Sequence, residues 1–376
     1  MAGKIRVGLL FGGRSGEHRV SLVSAASVMA AIDRTKYEVV PIGITPQGEW
    51  VIGKEPQAFL AEGVVRKLAG ERAETDTGGT RDPSPLPSPL SPSSPPSLFQ
   101  AGERLDVVFP VLHGPFGEDG TVQGLLELAD VPYVGAGVLA SAVGMDKAIM
   151  KALFRERNFP VLPALTITRR LWEAKPDEVR AMVEQHLTYP LFVKPANLGS
   201  SVGISKVRQA SELAAAIDTA ALYDRKILIE QGIACREIEC AVLGNDYPQA
   251  SVVGEIIPHR EFYDYEAKYT PGEADLLIPA PLSDALTEQV RTLAVAAFQA
   301  IDCAGMARVD FFLEKETERL YLNEINTIPG FTSLSMYARL WEASGLPYPL
   351  LIDRLIELAL ERYQDKKRSQ SWIEHL

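Results

Sequence analysis

Three observations predict a mixed fold class, α/β in the first third of the chain and α+β beyond it. From residue 4 to about 135, apolar runs that read as buried strands (KIRVGLLFGG, YEVVPIGIT, LDVVFPVLHG) alternate with helical patterns such as VSLVSAASVMAAI, which predicts a doubly wound parallel sheet. From 136 to about 233 shorter strands and helices make a small α+β unit, and beyond it EIECAVLG and ASVVGEII read as antiparallel strands. Finally, 376 residues exceed what a single core usually serves, so three regions are expected: 1–135, 136–233 and 234–376.

The first strand is apolar on both faces, as a buried parallel strand must be. A helix over TVQGLLELAD and a short strand VPYVG complete the first region. Residues 83–97, PSPLPSPLSPSSPPS, carry no charge and no periodicity and cannot build a core. Because structured pattern resumes at LDVVFPVLHG, this tract is expected to be part of a long surface loop, 66–98, inside the first region. The small unit should run helix DKAIMKALFRERN, strand ALTIT, helix DEVRAMVEQHL, strand PLFVKPA, a Gly-rich turn, helix ASELAAAIDTAALY and strand KILIEQ. The last region adds helix ALTEQVRTLAVAAFQAI, a hairpin ARVDFFL/RLYLNEIN and helix YPLLIDRLIELALERY.

A formal charge of -11, with basic residues massed only in the DKKRSQ tail, argues against a nucleic-acid partner. Cys235, Cys240 and Cys303 lack C-x-x-C spacing and are too few for a disulfide framework, which fits a reducing compartment. No apolar run approaches the ~18 residues of a membrane span, and IRVGLL is shorter than the core of a signal peptide. A cytoplasmic location without a membrane partner is therefore expected.

Residues 306–330, ARVDFFLEKETERLYLNEINTIPGF, hold the strongest local constellation. In a strand, Arg308 and Asp310 share one face, as do Glu324 and Asn326. Folding the hairpin about 316–317 sets Asp310 nearly opposite Glu324. Two facing carboxylates and an amide oxygen suit a hard cation such as Mg²⁺. Alternatively, Arg308 neutralises them in a structural cluster.

In FVKPANLGSSVGIS, residues 192–205, Lys194 precedes the glycines, which is the reverse of the Walker order. The turn is either a phosphate cradle of another kind or an ordinary hairpin turn. Lys147 opens a helix and Lys268 lies in the polar-aromatic loop FYDYEAKYTPGEAD. Each by itself reads more readily as a solvated surface lysine than as a ligand contact. Glu230 and Glu237 flank QGIACR, a connection that could act as a hinge presenting backbone to a base and a carboxylate to a ribose. FGGRSGEHRVS is not G-x-G-x-x-G. Its Glu17 either receives an ammonium or simply complements the helix dipole. His113, in HGPFGEDG, sits at a strand end where α/β sheets bind ligands.

In this order, FGGRSGEHRVS, HGPFGEDGTVQG, MDKAIMK, VKPANLGSSVGISKV, YDYEAKY, ARVDFFL and NEINTIPGFTSLSMY resemble the D-alanine:D-alanine ligases of the ATP-grasp superfamily, from about residue 4 to 360. The Pro/Ser tract has no counterpart in that pattern. The resemblance implies a two-domain ATP-grasp fold after the N-terminal domain. It also implies ATP-dependent joining of two D-alanines through an acyl phosphate, for peptidoglycan precursors. The cofactor expected is Mg²⁺, two ions, with Mn²⁺ as the alternative, and the expected assembly is a homodimer.

By position, Lys147, Lys194 and Lys268, with Ser200 and Ser201, are implied at the ATP phosphates, and Glu230 and Glu237 at adenine and ribose. Asp310, Glu324 and Asn326 match the metal ligands. Glu17 is similar to the acid that meets the first ammonium, while Arg308 and the Gly330 N–H match the groups around the reacting carboxyl. Ser335 and Met336 match the second D-alanine pocket, and His113 is implied on the substrate side. Ser200, Tyr269 and Glu17 are similar to the trio that ties down a lid around 259–275. A tyrosine at 269 points to an amine rather than a lactate acceptor. Two rivals stand beside this reading: a carboxylate-amine ligase for other substrates, and a nucleotide-binding regulatory protein without turnover.

Overall fold

The computed structural model describes residues 3–59, 104–259 and 274–369. The Pro/Ser tract, Lys268 and Tyr269 lie outside the described residues. Strands β1 (Ile5–Gly12), β2 (Tyr37–Ile44), β3 (Trp50–Ile52) and β4 (Val107–Pro110) form the first sheet in the order β3-β2-β1-β4. The pairings of β1 with β2 and β4 are parallel, and β3 is an antiparallel edge. Helix α1 (His18–Ala31) makes the crossover from β1 to β2. The expected strand VPYVG contributes one parallel bridge, Val108 to Tyr133, rather than a full strand.

Helices α2 (Thr121–Leu128), α3 (Val138–Met145) and α4 (Lys147–Glu156) lead to a second sheet. It contains β5 (Ala164–Thr168), β6 (Leu191–Pro195), β7 (Ser205–Val207) and β8 (Lys226–Gln231), ordered β5-β8-β6-β7 and antiparallel throughout. Helices α5 (Arg169–Ala174), α6 (Pro176–His186) and α7 (Leu213–Tyr223) accompany it. Val179, Val183 and Ile217 bury against Val193 and Ile229 to give this sheet its own core.

The third sheet holds β9 (Cys235–Gly244), β10 (Gln249–Pro258), β11 (Ala274–Leu277), β12 (Gly305–Glu314) and β13 (Leu320–Asn326), ordered β11-β10-β9-β12-β13 and antiparallel. Helix α8 (Asp284–Ala300) starts at a Ser283 cap and packs on it through Val290, Ala294 and Phe298. Met150 and Phe154 of α4 are buried in this same core, although the sequence places α4 with the small unit. Helices α9 (Met336–Ala343) and α10 (Tyr348–Lys366) close the chain. Leu351, Leu355 and Ile356 of α10 share one core with Val7, Leu9 and Val28 of the first sheet and its helix. The last helix therefore fixes the first sheet against the third.

Candidate active site

A cleft of about 800 Å³ opens between the second and third sheets, and a chamber of about 110 Å³ continues it toward α1. Lys147, Ser201, Arg308, Glu324 and Gly330 line both. The cleft adds Lys194, Glu230, Glu237, Asp310, Ser335 and Met336, and the chamber adds Glu17, His113, Ser200 and Asn326. Every described residue singled out in the sequence thus reaches one connected space.

One wall is built from lysines. Asp146 caps α4 by accepting from the N–H groups of Ala148 and Ile149 at 3.1 Å each, and it pairs with Lys226. That cap sets Lys147 at the helix start, where its Nζ donates to the Leu198 carbonyl at 2.9 Å and lies 3.5 Å from Glu324. One turn on, Lys151 is 1% exposed. Its Nζ is 2.5 Å from Glu230 Oε1 and donates to the Asn323 carbonyl at 3.0 Å. Glu230 lies across from Phe192 in the β6–β8 ladder, so Lys194 is its diagonal neighbour, and Lys194 Nζ is 2.6 Å from Glu230 Oε2. Burial alone would raise the Glu230 carboxyl, but the two ammonium groups outweigh it and hold the group below the usual carboxylate range. Both oxygens are therefore engaged inside the protein. The geometry makes Glu230 the counter-ion of two lysines at the wall of the cleft.

The opposite wall is acidic. In β12, buried Val309, Phe311 and Leu313 alternate with Arg308, Asp310 and Phe312, the period-two pattern of a half-buried strand. Across β9, β12 and β13, Glu239, Asp310 and Glu324 stand in register. Like charges side by side repel, so the row depends on cations. Arg308 donates to both Asp310 oxygens at 2.7 Å and lies 3.0 Å from Glu239, and Asn326 Nδ2 donates to Asp310 at 2.8 Å. Both sequence readings of this hairpin thus find support: Arg308 neutralises Asp310, and an oxygen-rich set remains beside it. Among the described residues, no three His, Cys, Asp or Glu side chains are arranged to hold a metal. The donors Asp310, Glu324 and Asn326 fit in kind a hard cation that completes its shell with phosphate oxygens and water.

The turn between β6 and β7 joins the two walls to α1. Ser200 and Ser201 take left-handed φ values of 53° and 59°, a costly conformation for serine. Gly203 also has positive φ, 71°, and a Cβ there would fall 2.6 Å from the Tyr223 ring and 2.9 Å from Pro195. The Ser200 hydroxyl donates to Glu17 Oε1. Glu17 stands at the start of α1 but caps no backbone N–H; its side chain is turned to the turn of the second sheet. His113 is buried, its Nδ1 donating to the Ile328 carbonyl at 3.0 Å, with Nε2 3.1 Å from the Ser24 hydroxyl. Burial lowers its basicity, against the pull of Glu17, so it holds the chamber floor as a neutral ring. Ser335 heads α9 and accepts from the Thr332 N–H at 3.0 Å, beside Gly330.

Three side chains of this site escaped the sequence reading. Lys151 was signalled only by its spacing of four from Lys147, one face of one helix. Glu239 shares a strand face with Glu237 by alternation. Glu118, in the same loop as His113, accepts from the Gly114 N–H at 2.8 Å, and burial beside Glu17 pushes its carboxyl up to about 8.

Residues 6–136 match the family described as D-ala D-ala ligase N-terminus, and residues 153–357 the D-ala D-ala ligase C-terminus family. A D-alanine--D-alanine ligase of Heliobacterium modesticaldum is 51% identical over 97% of both chains. One of Geobacillus thermodenitrificans is 51% identical over 97% of this chain and 98% of its own. Among solved structures, the D-alanine-D-alanine ligase from Coxiella burnetii superposes with a TM-score of 0.79 at 39% identity, covering 98% of this chain and 97% of that one. The VanG D-Ala:D-Ser ligase from Enterococcus faecalis gives 0.78 at 36%, covering 95% and 100%. Matched along nearly its whole length in sequence and in fold, the chain belongs to the D-alanine–D-alanine ligase family and has that family's ATP-grasp fold.

Proposed function

We propose that this chain is an ATP-dependent ligase that joins two D-alanines into D-alanyl-D-alanine, and that it does so by activating the first carboxylate as an acyl phosphate. The observation that carries the reading is the single connected space in which a lysine wall faces an acidic hairpin, with Glu17, Arg308 and Gly330 between them. A free carboxylate is a poor electrophile. Moving the γ-phosphoryl group of ATP onto one of its oxygens releases ADP and creates a leaving group. The neutral amine of the second D-alanine then attacks the carbonyl carbon, loses a proton and expels phosphate.

In this chain Lys147 and Lys194 would draw the phosphates to the lysine wall, and Ser201 lies on the turn beside them. Glu17, held by Ser200, would receive the first ammonium. Arg308 and the Gly330 N–H would stabilise the oxyanion formed on attack, and Ser335 and Met336 would seat the second D-alanine. A divalent cation on Asp310, Glu324 and Asn326 would neutralise charge on the transferring phosphoryl group. Supporting a hard ion there are the all-oxygen donors in register across the hairpin. Peptidoglycan precursor synthesis, a cytoplasmic location and a homodimer follow as parts of the same proposal. Among the described residues no helix is long and apolar enough to cross a membrane.

The test is release of ADP with D-alanine, L-alanine, D-serine or D-lactate as acceptor, alongside mass analysis of the product. Turnover with D-alanine alone, yielding the dipeptide, is expected. Faster turnover with D-serine would assign the chain to the specificity named for the Enterococcus relative, and ATP binding without turnover on any acceptor would favour a regulatory protein.

A further inference from the structure

The lysine wall contains a group that touches no ligand space. Lys151 lines neither the cleft nor the chamber and is 1% exposed behind Glu230. A buried ammonium is costly unless it is paired, and α4 would pack as well with an apolar residue at this position. Its two contacts are to Glu230 Oε1 at 2.5 Å and to the Asn323 carbonyl at 3.0 Å. Asn323 is the residue left over where the β12–β13 register shifts between Asp310 and Phe311, so the bulge supplies a carbonyl that the ladder does not use. The lysine therefore links the phosphate-facing strand to the acidic hairpin through one carboxylate and one carbonyl.

The charges explain why a lysine is placed there. Lys151, Glu230 and Lys194 form a row of plus, minus, plus. Without Lys151, Glu230 would belong wholly to Lys194, and that pair would present no net charge to an anion. With Lys151, the row carries one positive charge; Lys194 and Glu230 line the cleft, and Lys151 stands behind them. We propose that Lys151 is a positioning residue for nucleotide: by neutralising Glu230 from behind, it lets Glu230 hold Lys194 in place without cancelling its attraction for phosphate. This rests on the reading that Lys194 faces the ATP phosphates. Burial lowers Lys194 but Glu230 more than offsets this and raises it, whereas at Lys151 burial outweighs the opposing pull of Glu230 and the ammonium is lowered on balance.

Equilibrium binding of ATP with Mg²⁺, measured by calorimetry alongside melting temperature, separates a charge role from a packing role. Removing one unit of charge several ångströms from the phosphates, at an effective dielectric near 20, should weaken ATP binding about tenfold or more in Lys151→Met. The KM for D-alanine should move much less. The double variant Lys151→Met/Glu230→Gln restores one positive charge to the row and should recover ATP affinity to within about threefold of wild type, where a packing role predicts a further loss. That comparison stands even where the single variant fails to accumulate. An unchanged ATP affinity in Lys151→Met, or a double variant that binds ATP about tenfold or more below wild type, overturns the proposal. Lys194→Met keeps the two readings apart: if it binds ATP like wild type, the placement of phosphate at Lys194 is wrong, whereas weak binding there with normal binding in Lys151→Met removes Lys151 alone.

Discussion

The two walls of the cleft handle charge in opposite ways. On the lysine wall, Glu230 has a partner on each oxygen, and Lys151 and Glu230 are each 1% exposed in their side chains. On the hairpin wall, three carboxylates stand in register, one guanidinium spans two of them, and Glu324 has the Lys147 ammonium at 3.5 Å with a side chain 24% exposed. The first wall is complete within the protein. The second gains by taking up a cation. A phosphoryl-transfer site needs both: preset positive charge to bind nucleotide, and an acidic receptor whose neutralisation is coupled to ligand arrival.

If the hairpin wall acts through its carboxylates, Glu324→Gln should lower turnover by about a hundredfold or more, since cation stabilisation is worth several kcal/mol. Melting temperature should change little. Turnover close to wild type would reduce the hairpin to a structural element. Arg308→Met should do two separable things. Loss of oxyanion stabilisation should cost about 10²–10³ in turnover, and removing the guanidinium beside Glu239 and Asp310 should cost about 3–5 kcal/mol of stability. Adding Glu239→Gln should return part of the stability and none of the turnover; recovery of both together would show that Arg308 is only a counter-ion.

A smaller effect is expected where the turn meets α1. Ser200→Ala removes the hydrogen bond that holds the Glu17 side chain, worth about 1.5–3 kcal/mol, so the KM for the first D-alanine should rise roughly tenfold. ATP affinity should stay within about twofold, and a change mainly in ATP affinity would move Ser200 to the nucleotide side. The last effect, on stability rather than turnover, concerns Glu118. Its carboxyl is raised by burial, with Glu17 adding, from 4.5 to about 8, so the folded state holds the proton more tightly than the unfolded one. Its stabilising share is complete below 4.5 and is lost as pH climbs through about 8. Glu118→Gln should therefore melt above wild type at pH 9, with the gap closing toward pH 5. A gap independent of pH would mean that Glu118 does not titrate in this range.

What the sequence disclosed follows from the range of the forces involved. Alternation along β12 and β13 and the polar KETER turn were enough to set Asp310 opposite Glu324, the pairing seen in the hairpin. Strand KILIEQ was read from its pattern to the residue. Of the three eight-residue helices among the described residues, α2 was read from TVQGLLELAD but α3 and α9 were not; these two are held by Ala140, Tyr337 and Leu340 burying on other elements. The contact between Ser200 and Glu17 spans 183 residues and was accessible only through family resemblance. Glu230 shows the limit most plainly. Its place in the chain suggested a nucleotide contact at the hinge, while its ion pairs with Lys151 and Lys194 come from a helix and a neighbouring strand that no local pattern brings together.

The central claim is that the two walls act together to pass a phosphoryl group to a D-alanine carboxylate before the peptide bond forms. D-alanine labelled with ¹⁸O in both carboxylate oxygens tests it most directly, because the bond that is made and broken decides where the label goes. The account predicts one ¹⁸O atom in each phosphate released per dipeptide formed; phosphate free of label, with dipeptide still produced, would contradict it.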